Sequence, residues 1–136
     1  MSQSVVYIAG PIRADNAWLR EQNIRRAEAL ALEAWHAGAA AICPHAMGRF
    51  YDDGRYEMWI KGDLEILSRC DAILTVWNWE ESVGACAEVD HAKRINMPVL
   101  HSIEELRAFL HKEEVSLDSV QGSSDAADYG DEEMPF

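Results

Sequence analysis

The stretch AILTVWNWEESVGACAEVDHAKRINMPVL, residues 72–100, decides the fold. Its first six residues form an apolar run of the length expected for a buried strand. Ser82 stands where a helix N-cap belongs, and a helical stretch follows. Asn96-Met97-Pro98 then leads to a second short strand at Val99-Leu100. The helix opens on almost bare turns, Gly84, Ala85, Cys86 and Ala87, with one carboxylate, Glu88, just behind them.

The same alternation extends outward. VVYIA, residues 5–9, is a short apolar run ended by Gly10-Pro11. Asp15 or Asn16 can cap a helix reaching about residue 37, with Leu19, Ile24, Ala27, Leu30, Ala31 and Ala34 at mostly helical spacing and Gly38 as its stop. AAAIC, residues 39–43, reads as a second strand closed by Pro44, and a polar loop follows with Asp52-Asp53-Gly54 as its turn. A second helix is expected over 56–69, weakened in the middle by Gly62, and a last one over 102–112, where Ser102 and Glu105 have capping-box spacing. Strand and helix in this rhythm predict an α/β fold, a parallel sheet with helices on both faces. Ligands bind such sheets at the carboxyl ends of the strands. Those ends are residues 10–13, 44–48 and 77–82.

Composition bounds the rest. The 136 residues allow one domain with a real core, and an apolar fraction of 49% suits a globular protein rather than a disordered one. No apolar run has membrane-spanning length, and no basic segment precedes the first strand, so neither a membrane partner nor a secretion signal is expected. Cys43, Cys70 and Cys86 are odd in number and form no C-x-x-C pair, which fits reduced thiols in a cytoplasmic protein. Of 24 acids, eight lie in residues 113–136, which hold no Lys or Arg. Residues 1–112 therefore carry 16 acids and 12 bases, with no basic footprint for duplex nucleic acid. Residues 113–136, rich in Ser, Gly, Asp and Ala, are expected to form a disordered acidic tail beyond a domain spanning 1–112.

Helical side chains lean toward the helix N-terminus, so Glu88 lies over the turn holding Gly84 and Ala85. A ligand in the strand-end crevice can reach it there; equally, the small residues can simply let the helix pack close to the sheet. Other side chains can converge on the same crevice. Backbone N–H groups at Gly10, Pro11 and Ile12, less the one Pro11 lacks, together with the Arg13 guanidinium, suit a phosphate; a surface arginine is the plainer reading. His45 can contact a ligand or be an ordinary loop residue. Asp63 can be a solvent charge, and Tyr7 can fill the core, its hydroxyl needing a partner. Trp77 and Trp79 can stack a base or cover the sheet edge.

VYIAGPIR, KGDLEILSRCDAILTVW and ESVGACAEVDHAKRINMPVL, in that order, resemble the nucleoside 2-deoxyribosyltransferase superfamily, which includes the 2'-deoxynucleoside 5'-monophosphate N-glycosidases. The resemblance covers residues 5–112. Its most specific element is Ser-x-Gly-x-x-x-Glu, met by Ser82, Gly84 and Glu88. It implies a flavodoxin-like (Rossmann-like) fold and cleavage of an N-glycosidic bond. Glu88 would be the nucleophile, Asp63 would assist at the base, and Tyr7 would orient Glu88. Arg13 and Ser82 would hold a 5'-phosphate, with His45 lining the pocket. The implied partner is a nucleoside or nucleotide, with no cofactor and no metal, in a homodimer or larger homo-oligomer. Pro11 stands where the hydrolase branch has Ser, so hydrolysis and transfer to a second base both stay open. A catalytically silent nucleotide-binding protein is the alternative.

The tail carries a second resemblance. Asp131, Glu132, Glu133, Met134, Pro135 and Phe136 are similar to the tip of bacterial single-stranded-DNA-binding protein, where acids and a terminal Pro-Phe dock on partner proteins. A solubilising tail is the other reading.

Overall fold

The computed structural model describes residues 3–47 and 56–121. The expected turn at residues 52–54 and the tail tip at residues 131–136 lie outside them. Strand β1 is Val5–Ala9, β2 is Ala40–Ile42, β3 is Ala72–Thr75 and β4 is Val99–Leu100. Between and after them lie helices α1 (Ala17–Ala37), α2 (Pro44–Met47), α3 (Tyr56–Ser68), α4 (Val83–Arg94) and α5 (Ile103–Gln121). A single 3-10 turn, Trp79–Glu81, precedes α4.

All strand pairs are parallel, in the order β2-β1-β3-β4. This is the flavodoxin-like arrangement, one strand short, with its topological switch between β1 and β3. The β1–β3 register sets Tyr7 opposite Ile73 and Ala9 opposite Thr75. The alternation of side chains along β1 then divides the core in two. Val6 and Ile8 meet Ala27, Ala31 and Ala34 of α1 and Leu106 of α5. Tyr7 and Ala9 face the other way, against Leu67 of α3 and Ala85, Val89 and Ala92 of α4. The expected α/β fold, with helices on both faces of a parallel sheet, is what the molecule adopts.

The helix ends obey local chemistry. Asn16 caps α1, its Oδ1 accepting from Leu19 N at 2.8 Å. Gly38 ends the helix at φ 109°, in the left-handed region. At α5, Ser102 Oγ accepts from Glu105 N at 3.1 Å, while Glu105 Oε1 accepts from His101 N at 3.2 Å, one residue earlier than a standard capping box. Asp71 fastens the start of β1, its Oδ2 accepting from Val5 N at 2.8 Å.

Three boundaries differ from expectation. Pro44 does not open a loop but the first turn of α2, where its missing N–H has no intrahelical partner to lose. β3 ends at Thr75 rather than Trp77: Trp79 N turns back to Val76 O at 3.0 Å. α5 continues to Gln121, so the segment read as tail begins as nine residues of helix beyond Lys112. Among the described residues no helix is long and apolar enough to cross a membrane.

Candidate active site at the β1–β3 switch

The carboxyl ends of β1 and β3 are drawn tightly together. Val76 N donates to Ala9 O at 2.8 Å. A Cβ on Gly10 would lie 2.6 Å from Val76 Cγ2 and 2.8 Å from Val76 Cβ, so this close approach requires glycine. The crevice beyond these strand ends is where an open α/β sheet takes its ligand.

Below the crevice three ionisable groups meet. Tyr7 is fully buried in the middle of β1, on the α3/α4 side. Its hydroxyl donates a hydrogen bond to Glu88 Oε2, joining residues 81 positions apart. Glu88 is half-buried on α4, between the buried Ala85 and Val89. Burial pushes the Glu88 carboxyl up to about 7; the Tyr7 hydrogen bond opposes that rise and the nearby Asp63 charge adds to it. Asp63, half-buried on α3, is pushed up to about 6 by burial alone. Burial, then the charges of Glu88 and Asp63, raise Tyr7 far above the usual phenol range. Tyr7 is therefore a permanent hydrogen-bond donor, beside two carboxyls that titrate near neutrality. Such a set can hold one carboxylate ready to attack or to stabilise positive charge, with a second carboxyl ready to give up a proton.

The α4 entrance is shaped as the small residues suggest. Ser82 caps the helix, Oγ accepting from Ala85 N at 3.1 Å. Gly84 and Ala85 leave the first turn without bulk, and Val83 beside them is 85% exposed. The structure separates the two tryptophans. Trp77 is 76% exposed just past β3. Trp79 is half-buried against the lower core and stacks on His101, ring centroids 5.5 Å apart and planes 18° from parallel.

The β1–α1 loop is held from beneath. His45 is buried, and its Nε2 lies 3.0 Å from both Gly10 O and Pro11 O, donating to the two carbonyls. Burial pulls the ring's pKa down, so the neutral form is the stable one, and its buried Nδ1 has no partner among the described residues. His45, expected to line the pocket, thus has its donor committed to the loop. Asn23 Nδ2 reaches Ile12 O at 3.4 Å and Arg13 O at 3.5 Å from the other side. Arg13 is exposed on this loop.

Sequence reasoning missed Asn23, Asn78 and His101. Asn78 is buried at the end of β3, with Nδ2 donating to Glu81 Oε2 at 3.3 Å and Oδ1 unpartnered among the described residues. An amide between two tryptophans in VWNW was a signal available in the sequence. Asn23 and His101 carried none, because their partners are remote: His101 Nδ1 lies 2.7 Å from Thr75 Oγ1. Among the described residues no group of three or more His, Cys, Asp or Glu is arranged to hold a metal ion.

The chain belongs to the family described as domain of unknown function (DUF7768), whose model matches residues 4–102. The match runs from β1 through β4 and includes Tyr7, Asp63 and Glu88. No curated protein matches the chain.

Proposed function

From that constellation we propose that the protein cleaves the N-glycosidic bond of a nucleoside or of a (deoxy)nucleoside 5'-monophosphate, with Glu88 as nucleophile. The observation that carries this reading is the Tyr7–Glu88 hydrogen bond at the β1–β3 switch, with Asp63 as electrostatic neighbour of both. The resemblance to deoxyribosyltransferases supplies the substrate class.

The chemistry follows from the charges. As the bond between base and sugar lengthens, positive charge builds on the sugar. Ionised Glu88 attacks the anomeric carbon, forming an ester as the carbon–nitrogen bond breaks. The electron pair of that bond leaves with the base, which takes a proton from the neutral Asp63 carboxyl. Asp63, now a carboxylate, accepts a proton from the water that displaces Glu88, or from an incoming base in transfer. Tyr7 fixes which Glu88 oxygen is free to attack, since its hydroxyl occupies the other. Trp77 offers an open apolar surface for a base, and Arg13 a positive charge for a phosphate.

The test is a panel of ribo- and deoxynucleosides and their 5'-monophosphates, with and without a second base, read by chromatography for free base. Release from at least one member is expected, falling about 10³-fold or more in Glu88→Gln. No release from any member would refute the enzyme. If ligands still bound, the same crevice would be a nucleotide-binding site without turnover.

A further inference from the structure

The loop between β1 and α1 is fastened by its carbonyls. His45 Nε2 lies 3.0 Å from Gly10 O and 3.0 Å from Pro11 O. Both neighbours are acceptors only, so Nε2 carries the proton and shares it between them. The other ring nitrogen, Nδ1, is buried without a partner among the described residues. Asn23 Nδ2 lies 3.4 Å from Ile12 O and 3.5 Å from Arg13 O, and its two N–H bonds serve one carbonyl each. Four successive carbonyls are thus held by two side chains, one from α2 and one from α1.

A carbonyl turned one way turns the next N–H the other. No peptide bond among the described residues is cis, and across a trans peptide the C=O of one residue and the N–H of the next point in opposite directions. The Gly10 carbonyl is followed by Pro11, which has no N–H to present. The other three tethers turn the N–H groups of Ile12, Arg13 and Ala14 away from the side chain that holds each carbonyl. Those of Ile12 and Ala14 meet no acceptor among the described residues. Oriented amides of this kind carry fixed positive charge at their hydrogens. Asn23 also fixes the backbone from which the Arg13 guanidinium projects.

We propose that His45 and Asn23 are positioning residues for phosphate recognition: by holding the carbonyls of residues 10–13 they keep the N–H groups of Ile12, Arg13 and Ala14 turned toward a 5'-phosphate. Neither side chain touches the ligand; both act through the loop. The identity of the ligand rests on the glycosidase reading, but the tethering does not.

The test is calorimetric titration of the full chain carrying Glu88→Gln, which blocks turnover. The titrants are the four deoxynucleoside 5'-monophosphates, their nucleosides and inorganic phosphate, with circular dichroism as the check on folding. Asn23→Leu and His45→Leu remove the donors at similar or smaller size. Each should weaken the best monophosphate about 10-fold or more, the loss expected for one charge-assisted hydrogen bond. In Asn23→Leu the matching nucleoside should stay within about 3-fold, since it has no phosphate to lose. His45→Gln keeps an amide N–H where Nε2 stands and should recover most of the loss. Asn23 is only half-buried, so Asn23→Leu carries the test even where His45→Leu fails to fold. Monophosphate binding undiminished in Asn23→Leu, equal losses for nucleoside and monophosphate, or a folded His45→Leu no weaker than His45→Gln would each overturn the proposal. A protein that binds inorganic phosphate but no nucleoside or monophosphate would refute the substrate class alone; a 10-fold loss of phosphate in Asn23→Leu would then still support the tethers. A protein that binds neither phosphate nor monophosphate would overturn the proposal outright.

Discussion

Glu88 and Asp63 interact, so their protons belong to the pair, which should titrate with apparent values near 7 and 6. The proposed reaction needs the pair to hold one proton, on Asp63; because Glu88 has the higher value, that proton rests mostly on Glu88 and the reactive arrangement is the minority form of the singly protonated pair. Below about 6 both carboxyls are protonated and no nucleophile exists; above about 7 both are ionised and no acid remains. A bell-shaped kcat/KM profile with its maximum between these values is expected in a pH series on the preferred substrate. Tyr7→Phe removes the bond that favours ionised Glu88, so the alkaline limb, which follows Glu88, should move to higher pH as kcat falls. Stability changes in a linked direction. Both carboxyls are raised above their unfolded values, so the folded state retains protons the unfolded chain gives up. Their stabilising contribution is fully present below about pH 4 and is lost as pH rises through the folded values. Glu88→Gln removes a buried charge while keeping an acceptor for Tyr7. Urea unfolding should therefore find it about 1–3 kcal/mol more stable than the native chain at pH 8, with little difference at pH 4. At this scale the sequence was half legible. The bare turn before Glu88 pointed to an accessible carboxylate, since a helix carries its side chains back over the preceding turn. Tyr7 could be read only as a core aromatic in need of a partner, because that partner lies 81 residues away and no periodicity links them.

Local chemistry governs the elements, and their ends were the most legible feature of the sequence. Asn16, Gly38, Ser82 and Ser102 act within three or four residues of themselves, where pattern is informative. Ser82→Ala should cost about 1 kcal/mol of unfolding free energy by denaturant titration, through loss of the cap on α4. Gly10→Ala should cost more, about 1–3 kcal/mol, because its Cβ meets the buried Val76 rather than a flexible side chain. The misread boundaries have physical reasons. β3 stops at Thr75 because a turn at Val76–Trp79 competes with the sheet, and β propensity in AILTVW does not register that competition. α5 runs on because Lys112, Glu113, Glu114 and Val115 continue a helical chain whose composition, averaged to the C-terminus, reads as tail.

The rhythm of strands and helices across the whole chain announces a parallel sheet, but strand order is a non-local property, and β2-β1-β3-β4 emerges only from the pairings. That order puts the topological switch at the β1–β3 gap, the proposed ligand site, and brings Gly10–Arg13 to the same end of the sheet as the start of α4 and Trp77. The net charge bears on what can enter. The chain carries −12, so a phosphorylated ligand approaches a molecule that repels it. Preference for a 5'-monophosphate over its nucleoside must then come from local groups at the crevice, and Arg13 is the positive side chain of the β1–α1 loop. In the Glu88→Gln background, which removes turnover, the monophosphate should raise the thermal midpoint more than the nucleoside at equal concentration. A tenfold tighter ligand in excess adds about 1.4 kcal/mol of stability, enough to resolve in a melting curve. Arg13→Ala should erase that difference while leaving the nucleoside shift intact, because the proposed base and sugar contacts, Trp77 and Glu88, do not involve Arg13. An undiminished monophosphate advantage in Arg13→Ala would remove the Arg13 side chain from the phosphate site and leave the backbone N–H groups of Gly10, Ile12 and Arg13, with Ser82, to hold the anion.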